Sequence, residues 1–267
     1  MEQLAQNYII WNADPTLISF AGLDIRWYGA LFAIAYLLGY QLIHWIYQRE
    51  GRDHRSLERL SLYLVIGTIV GARLGHCLFY DPAYYLSHPL KIIAIWEGGL
   101  ASHGGGVGVM LALYLYQRKM AESYLWLLDR FVIPTALAGV FIRLGNLFNS
   151  EIYGDATSLP WALVFKRVDN LPRHPAQLYE AVAYAVIFLL LLYLYRRGER
   201  SKSPGFLFAV FLIAAFGARF AIEFVKQRQA AYTTELWLNT GQMLSIPFIL
   251  MGSVLLYLAL RPGRESP

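Results

Sequence analysis

Charge is scarce in this 267-residue chain. Only 15% of its residues are charged, against 57% that are hydrophobic, and the mean hydropathy is +0.41. A soluble domain carries about 25% charged residues, so a water-facing surface over most of the chain is excluded. Cysteine is scarcer: Cys77 stands alone. No intrachain disulfide can form, and the thiol lies inside an apolar run, where it reads as inert packing. Residues 1–22 hold Glu2 and Asp14 but no Lys or Arg, which excludes the basic start of a secretory signal. The first helix is therefore expected to stay in the chain and to insert by itself.

Three further absences narrow the function. No internal repeat or low-complexity tract is visible, which weighs against many transporter architectures. His44, His54, His76, His88, His103 and His174 lack a two-histidine spacing with a carboxylate between them, so no metal site is expected. The glycine-rich run near His103 follows no strand and lacks a Gly-Lys-Ser/Thr ending, so it is not a nucleotide loop.

What the chain has in abundance is apolar segments about as long as a bilayer is thick, about 20 residues each. They predict an all-α polytopic membrane bundle, a single membrane domain over 1–267. Seven transmembrane helices are expected, at about 25–46, 60–80, 98–116, 129–148, 176–195, 205–225 and 241–260. Pro134 falls in the first turns of the fourth, where proline is tolerated. Thirteen Lys/Arg residues then lie on one side and seven on the other. The richer side is expected to be cytoplasmic, with the N-terminus outside and the C-terminus inside. The net charge of +5 needs no nucleic acid; the basic loops set topology and meet anionic lipid. Tyr84, Tyr85 and Trp96 suit the outer interface. Residues 149–175, punctuated by Gly and Pro, predict a small ordered periplasmic lobe.

Arg73, Arg143 and Arg219 remain inside spans, where an ionisable residue costs about 2.5–3.5 kcal/mol and marks function by default. Each lies about five to seven residues before the outer end of its span, about 7–11 Å deep. His103 and Tyr28 fall at a similar depth on their own helices, so one polar layer is expected in the outer leaflet. Helical spacing adds neighbours: Arg73 with His76 and Tyr80, Arg143 with Asn146 and Ser150, Arg219 with Glu223 and Lys226. Arg219 and Glu223 could equally form only a structural ion pair. Asn146, Asn149 and Glu151 crowd one helix end with Arg143. Gly67, Gly71 and Gly75, spaced by four, read as close helix packing; packing explains the glycines around His103 but not His103 itself. Pro175 marks the start of the fifth span, and Gln177 and Glu180 beyond it can face the site.

Several ordered stretches then resemble one family along nearly the whole chain. They are RWYG from Arg26, GARLGHCLFYDP from Gly71, WEGGLASHGG from Trp96, RLGNLFNSEIYG from Arg143, LPRHPAQLYE from Leu171, GARFAIEFVKQ from Gly217 and GQMLSIP from Gly241. The chain resembles the prolipoprotein diacylglyceryl transferases of the bacterial inner membrane. The resemblance implies two substrates, phosphatidylglycerol and a prolipoprotein signal peptide with a lipobox cysteine. The diacylglyceryl group moves to the cysteine sulfur as a thioether, and glycerol phosphate leaves. It implies functional roles for Tyr28, His103, Arg143, Asn146, Glu151, Gly154, Arg219 and Glu223. Ala215 stands where some members carry Tyr, and Lys226 where some carry Arg. The chemistry fits: a thiol has a pKa of about 8.5 and a histidine about 6.5, so His103 suits a general base. Arg143 and Arg219 suit the phosphate charge, with Asn146 on the head group and Glu223 positioning Arg219. No cofactor is required, and a monomer is expected. A transporter or binding protein for an anionic phospholipid is the alternative use of the same arginines.

Overall fold

The computed structural model describes residues 8–20, 22–95, 98–99, 101–120, 122–198, 203–227 and 238–261. Trp96, expected at the interface, lies outside them, as do Glu2 and the basic residues Arg200, Lys202, Arg228 and Arg264. The side chain of His103 is also outside the description.

The chain is mostly helical. Its long helices are α1 (Trp27–Arg49), α2 (His54–Phe79), α5 (Ser102–Met120), α6 (Tyr124–Phe148), α7 (Ala176–Arg197), α8 (Phe206–Ile222) and α9 (Thr240–Leu260), with short α3 (Pro82–Ser87) and α4 (Leu90–Ile93) between α2 and α5. Among the described residues, six are long and apolar enough to cross a membrane: α1, α2, α6, α7, α8 and α9. The 19-residue α5 is not one of them; its opening glycines add length without hydropathy. Their outward faces are apolar, with Leu37, Val182 and Leu250 all exposed, as lipid contact requires.

Other features also differ from expectation, and α2 begins at His54 rather than 60. Helix α6 begins at Tyr124 rather than 129, so Pro134 lies well inside it and removes the N–H that would have met the carbonyl of Arg130. The bundle also carries strands, which helix-length apolar runs do not signal. They are β1 (Ile9–Trp11), β2 (Thr16–Phe20), β3 (Leu23–Arg26), β4 (Leu163–Phe165) and β5 (Pro172–Arg173). β2 and β3 form a hairpin, and β1 pairs in parallel with β4, which pairs antiparallel with β5.

The chain divides into two compact units, residues 1–43 with 129–267, and residues 44–128. In the second, α2 and α5 pack through glycine. A Cβ at Gly71 would lie 2.7 Å from the Cα of Gly108, and one at Gly75 2.7 Å from the Cα of Gly104. The spacing-four glycines are thus a packing seam. In the first unit, Asp129 on α6 is 1% exposed. Its carboxylate accepts from the N–H of Gly205 (2.7 Å) and of Phe208 (2.8 Å). It thereby satisfies orphan donors at the start of α8, a helix end with no cap of its own. Phe216 and Phe248 stack at 4.3 Å between α8 and α9.

The segment 149–175 carries β4 and β5. Leu147, Leu163 and Phe165 form a small core joined by Trp11, Tyr153 and Leu178. Trp11 Nε1 donates to the carbonyl of Leu147 at 3.0 Å, so the chain's first strand is stitched to the end of α6. At the far side Asp169 takes the Arg173 guanidinium at 2.5 Å and the N–H of Leu171 at 3.0 Å. The Arg173 hydrogen bond holds the Asp169 carboxyl below its ordinary value near 3.8. A lowered value means that the contribution is full above that pH and is lost as pH falls through the depressed one. The pair is partly exposed, so Asp169→Asn is expected to cost about 1 kcal/mol or less. Hydrogen exchange at the Leu171 amide should rise several-fold at neutral pH, with a smaller acid-induced increase than in the unaltered protein.

Candidate active site

The run from Arg143 to Gly154 ends α6 and turns back on the helix end. Glu151 N–H reaches back to the Asn146 carbonyl (3.1 Å) and Ser150 N–H to that of Leu147 (3.0 Å). This is a Schellman closure, but Ser150, not glycine, takes the left-handed position at φ 53°. Ile152 follows at φ 60°, a conformation that a β-branched residue rarely adopts. Backbone strain therefore flanks Glu151 on both sides, and such strain persists only where its surroundings hold it.

The surroundings do so. The buried Gln177 donates through Nε2 to the Glu151 carbonyl at 2.6 Å. The Glu151 carboxylate accepts from Asn146 Nδ2 (2.7 Å) and Asn149 Nδ2 (3.2 Å). Asn146 in turn accepts from Arg143 Nη1 at 3.2 Å. Asn146, expected on a head group, links Arg143 to Glu151. The Tyr28 ring lies against Gly145, where a Cβ would come within 2.7 Å of it.

On its other edge Arg143 meets α7. Its Nε lies 2.9 Å from Oε2 of Glu180, and Lys226 Nζ lies 3.3 Å from Oε1 of the same carboxylate. Glu180 and Lys226 are 4% and 6% exposed. Among the described residues, Nη2 of Arg143 has no partner. Arg219 on α8 lines a small cavity with Glu180, Tyr184, Ala215 and Ile222, and it too has no ion-pair partner among the described residues.

The expected pairing of Arg219 with Glu223 does not form. Helix α8 stops at Ile222, and the chain tightens into a 3₁₀ turn over Glu223–Val225. In that geometry residues three apart eclipse, so Glu223 projects toward Lys226, 3.8 Å away, rather than back to Arg219. The Glu223 carboxylate also lies over Gly241, where a Cβ would sit 2.6 Å from Oε1. Among the described residues the ion-pair partner of Glu223 is Lys226.

Gly154 belongs to a backbone junction. It bridges to Lys226 in antiparallel fashion, its N–H donates to the His174 carbonyl at 2.9 Å, and Asp155 N–H donates to that of Val225 at 2.9 Å. A Cβ there would strike the Val225 carbonyl oxygen and lie 2.6 Å from the Cβ of His174. Glycine at 154 thus lets the segment after α8 approach closely enough to deliver Lys226 to Glu180.

Arg73 and His103 belong to the second unit. Arg73 is 3% exposed and is committed to carbonyl oxygens. Nε donates to Ile92 (2.9 Å), Nη2 to Lys91 (2.5 Å), and Nη1 to Gly98 and to Gly99 (3.1 Å). Its guanidinium also lies over the Tyr85 ring at 5.1 Å. It is a clamp on the segment that leads into α5. His103 stands in the first turn of that helix.

Against this geometry the comparisons are decisive. The family model described as prolipoprotein diacylglyceryl transferase matches residues 15–258. The chain belongs to the prolipoprotein diacylglyceryl transferase family. A relative named phosphatidylglycerol–prolipoprotein diacylglyceryl transferase from Tolumonas auensis is 56% identical, covering 94% of this chain and 97% of its own. A relative of the same name from Chloroherpeton thalassium is 46% identical over 97% of both. One from Bacteroides fragilis is 44% identical over 91% of this chain and 92% of its own.

Reasoning from sequence understated Glu180 and Lys226. Glu180 had a signal, a carboxylate one turn inside an apolar span, and Lys226 shared a helical stripe with Arg219. Gly154→Ala is expected to force the 154–174–225 junction apart and to lower the unfolding temperature by several degrees, consistent with about 1–3 kcal/mol for an overpacked site. It should also cut transfer activity more than that loss of folded protein accounts for, since Lys226 moves with the junction. Thermal unfolding and specific activity measured on one preparation check both effects.

Proposed function

We propose that this protein transfers the diacylglyceryl group of phosphatidylglycerol to the lipobox cysteine of prolipoproteins, the first step of bacterial lipoprotein maturation. The single observation that carries the reading at the level of the site is the Nη2 of Arg143, which has no partner among the described residues. Its Nε and Nη1 are anchored on Glu180 and Asn146, which leaves Nη2 for a ligand. A guanidinium held at Nε and at Nη1 by two partners is aimed while Nη2 keeps its donors for an anion. Arg219, without a protein counter-ion among the described residues, supplies a second cation from another helix.

In the proposed reaction the cysteine sulfur bonds to the terminal glyceryl carbon as the carbon–oxygen bond to phosphate breaks. The thiol proton goes to His103, and glycerol phosphate leaves with the bonding electrons. Arg143 and Arg219 bind the phosphate and stabilise the charge it gains. Tyr28 borders the head group, Asn146 and Glu151 hold Arg143 in register, and Glu223 with Gly154 places Lys226. The protein is read as a monomeric single domain of seven spans in the inner membrane. Its N-terminus is outside, its C-terminus is cytoplasmic, and the site and the 149–175 lobe face the periplasm. The thirteen-to-seven asymmetry in basic residues supports that orientation.

Purified protein in detergent, given phosphatidylglycerol and a lipobox peptide, should yield a peptide carrying one diacylglyceryl mass without any ion gradient. Gradient-dependent lipid movement with no thioether product would overturn the reading in favour of a transporter. Arg143→Ala should lower the rate by at least about 10²-fold, the usual cost of removing one transition-state donor, while the protein still folds in membranes. His103→Gln should fall by a similar factor; an unimpaired rate would remove His103 as the base.

A further inference from the structure

Glu180 is buried between two cations, and the proposed mechanism gives it no contact with substrate. Its position nonetheless fixes the charge of the site. Three cations gather there: Arg143, Arg219 and Lys226. Two carboxylates oppose them within ion-pair distance, Glu180 at 2.9 Å from Arg143 and 3.3 Å from Lys226, and Glu223 at 3.8 Å from Lys226. Glu151 is solvent-exposed and bonded to two carboxamides rather than to a cation, so water screens its charge. Among the described residues the balance of these groups is one positive charge, and Arg219 is the cation with no ion-pair partner among them.

We propose that Glu180 sets the charge of the lipid head group that the site accepts. By cancelling one of the three enclosed cations, it matches the site to a phosphodiester with a single negative charge and against a phosphomonoester lipid with two. A phosphomonoester carries a third terminal oxygen, but a bidentate guanidinium engages two, and both head groups present two. Net charge does separate them, since an unmatched charge in a low-dielectric site is costly. The geometry also makes Glu180 a positioning residue: Oε2 fixes Arg143 while Oε1 fixes Lys226, so losing it alters both charge and aim.

The inference rests on the reading of this site as a phospholipid head-group site, but its test does not require turnover. Protein in phosphatidylcholine nanodiscs is offered dioleoyl phosphatidylglycerol against dioleoyl phosphatidic acid at pH 8, where the phosphomonoester is doubly ionised. Native mass spectrometry reads the ratio of the two bound lipids and counts only folded protein. Glu180→Gln raises the site by one positive charge and should shift the ratio toward phosphatidic acid by about tenfold, one charge interaction of about 1.4 kcal/mol. Lys226→Met lowers it by one and should shift the ratio the other way. The double variant removes both partners of a buried pair, which proteins tolerate better than removing one, and should return the ratio to that of the unaltered protein. Should Glu180→Gln fail to fold, Lys226→Met and the double variant still decide. Opposite shifts in the single variants with restoration in the double support the proposal; when only those two are available, the Lys226→Met shift and its reversal do so. Ratios that stay within about twofold, or that move in the same direction for both single variants, overturn it. Unaltered protein that retains neither lipid above phosphatidylcholine overturns both this proposal and the head-group reading. Normal lipid ratios without thioether product would sink the transferase reading alone.

Discussion

A carboxylate with almost no access to water, Glu180, sits between a guanidinium from α6 and an ammonium from the segment after α8. Three stretches of chain far apart in sequence meet at its two oxygens. Removing one member of such a group leaves an uncompensated buried charge, at a cost of about 3–5 kcal/mol. The arrangement therefore persists only because each backbone is held in place by something else. Helix α7 enters after Pro175, α6 closes on a Schellman turn, and Gly154 lets the 225–226 backbone come close enough to form a bridge.

Strain is concentrated where this convergence occurs. Ser150 and Ile152 adopt left-handed backbone conformations on either side of Glu151, and Gln177 from α7 holds the carbonyl between them. The same α7 turn carries Gln177 and, three residues on, Glu180, so one helix face secures both the strained backbone and the charged bridge. The small core of Leu147, Leu163 and Phe165, stapled by Trp11, backs the turn from the other side. Together these contacts supply the over-determination that a β-branched residue at positive φ needs.

The second unit solves a different problem. Glycines on α2 and α5 bring two backbones into contact, which leaves no side-chain volume with which to order the segment between them. Arg73 does that instead, binding four carbonyl oxygens of residues 91–99. This clamp makes Arg73 a structural arginine, whereas Arg143 and Arg219 keep donors free.

The sequence by itself determined the helical membrane character, the family, and the identities of Arg143, Asn146 and Glu151 as a cluster. Those features depend on composition, on apolar run length and on neighbours within one helix turn, all of which are local. Only the tertiary structure decided which charges pair. Spacing of i and i+4 promised Arg219 to Glu223, but a 3₁₀ turn redirected the carboxylate to Lys226. Arg143 found its counter-ion 37 positions away in Glu180. The strands were equally illegible, since three residues of β1 acquire their meaning only from β4, more than a hundred positions on. Pairing over such distances is set by where whole helices pack, and no local periodicity encodes that.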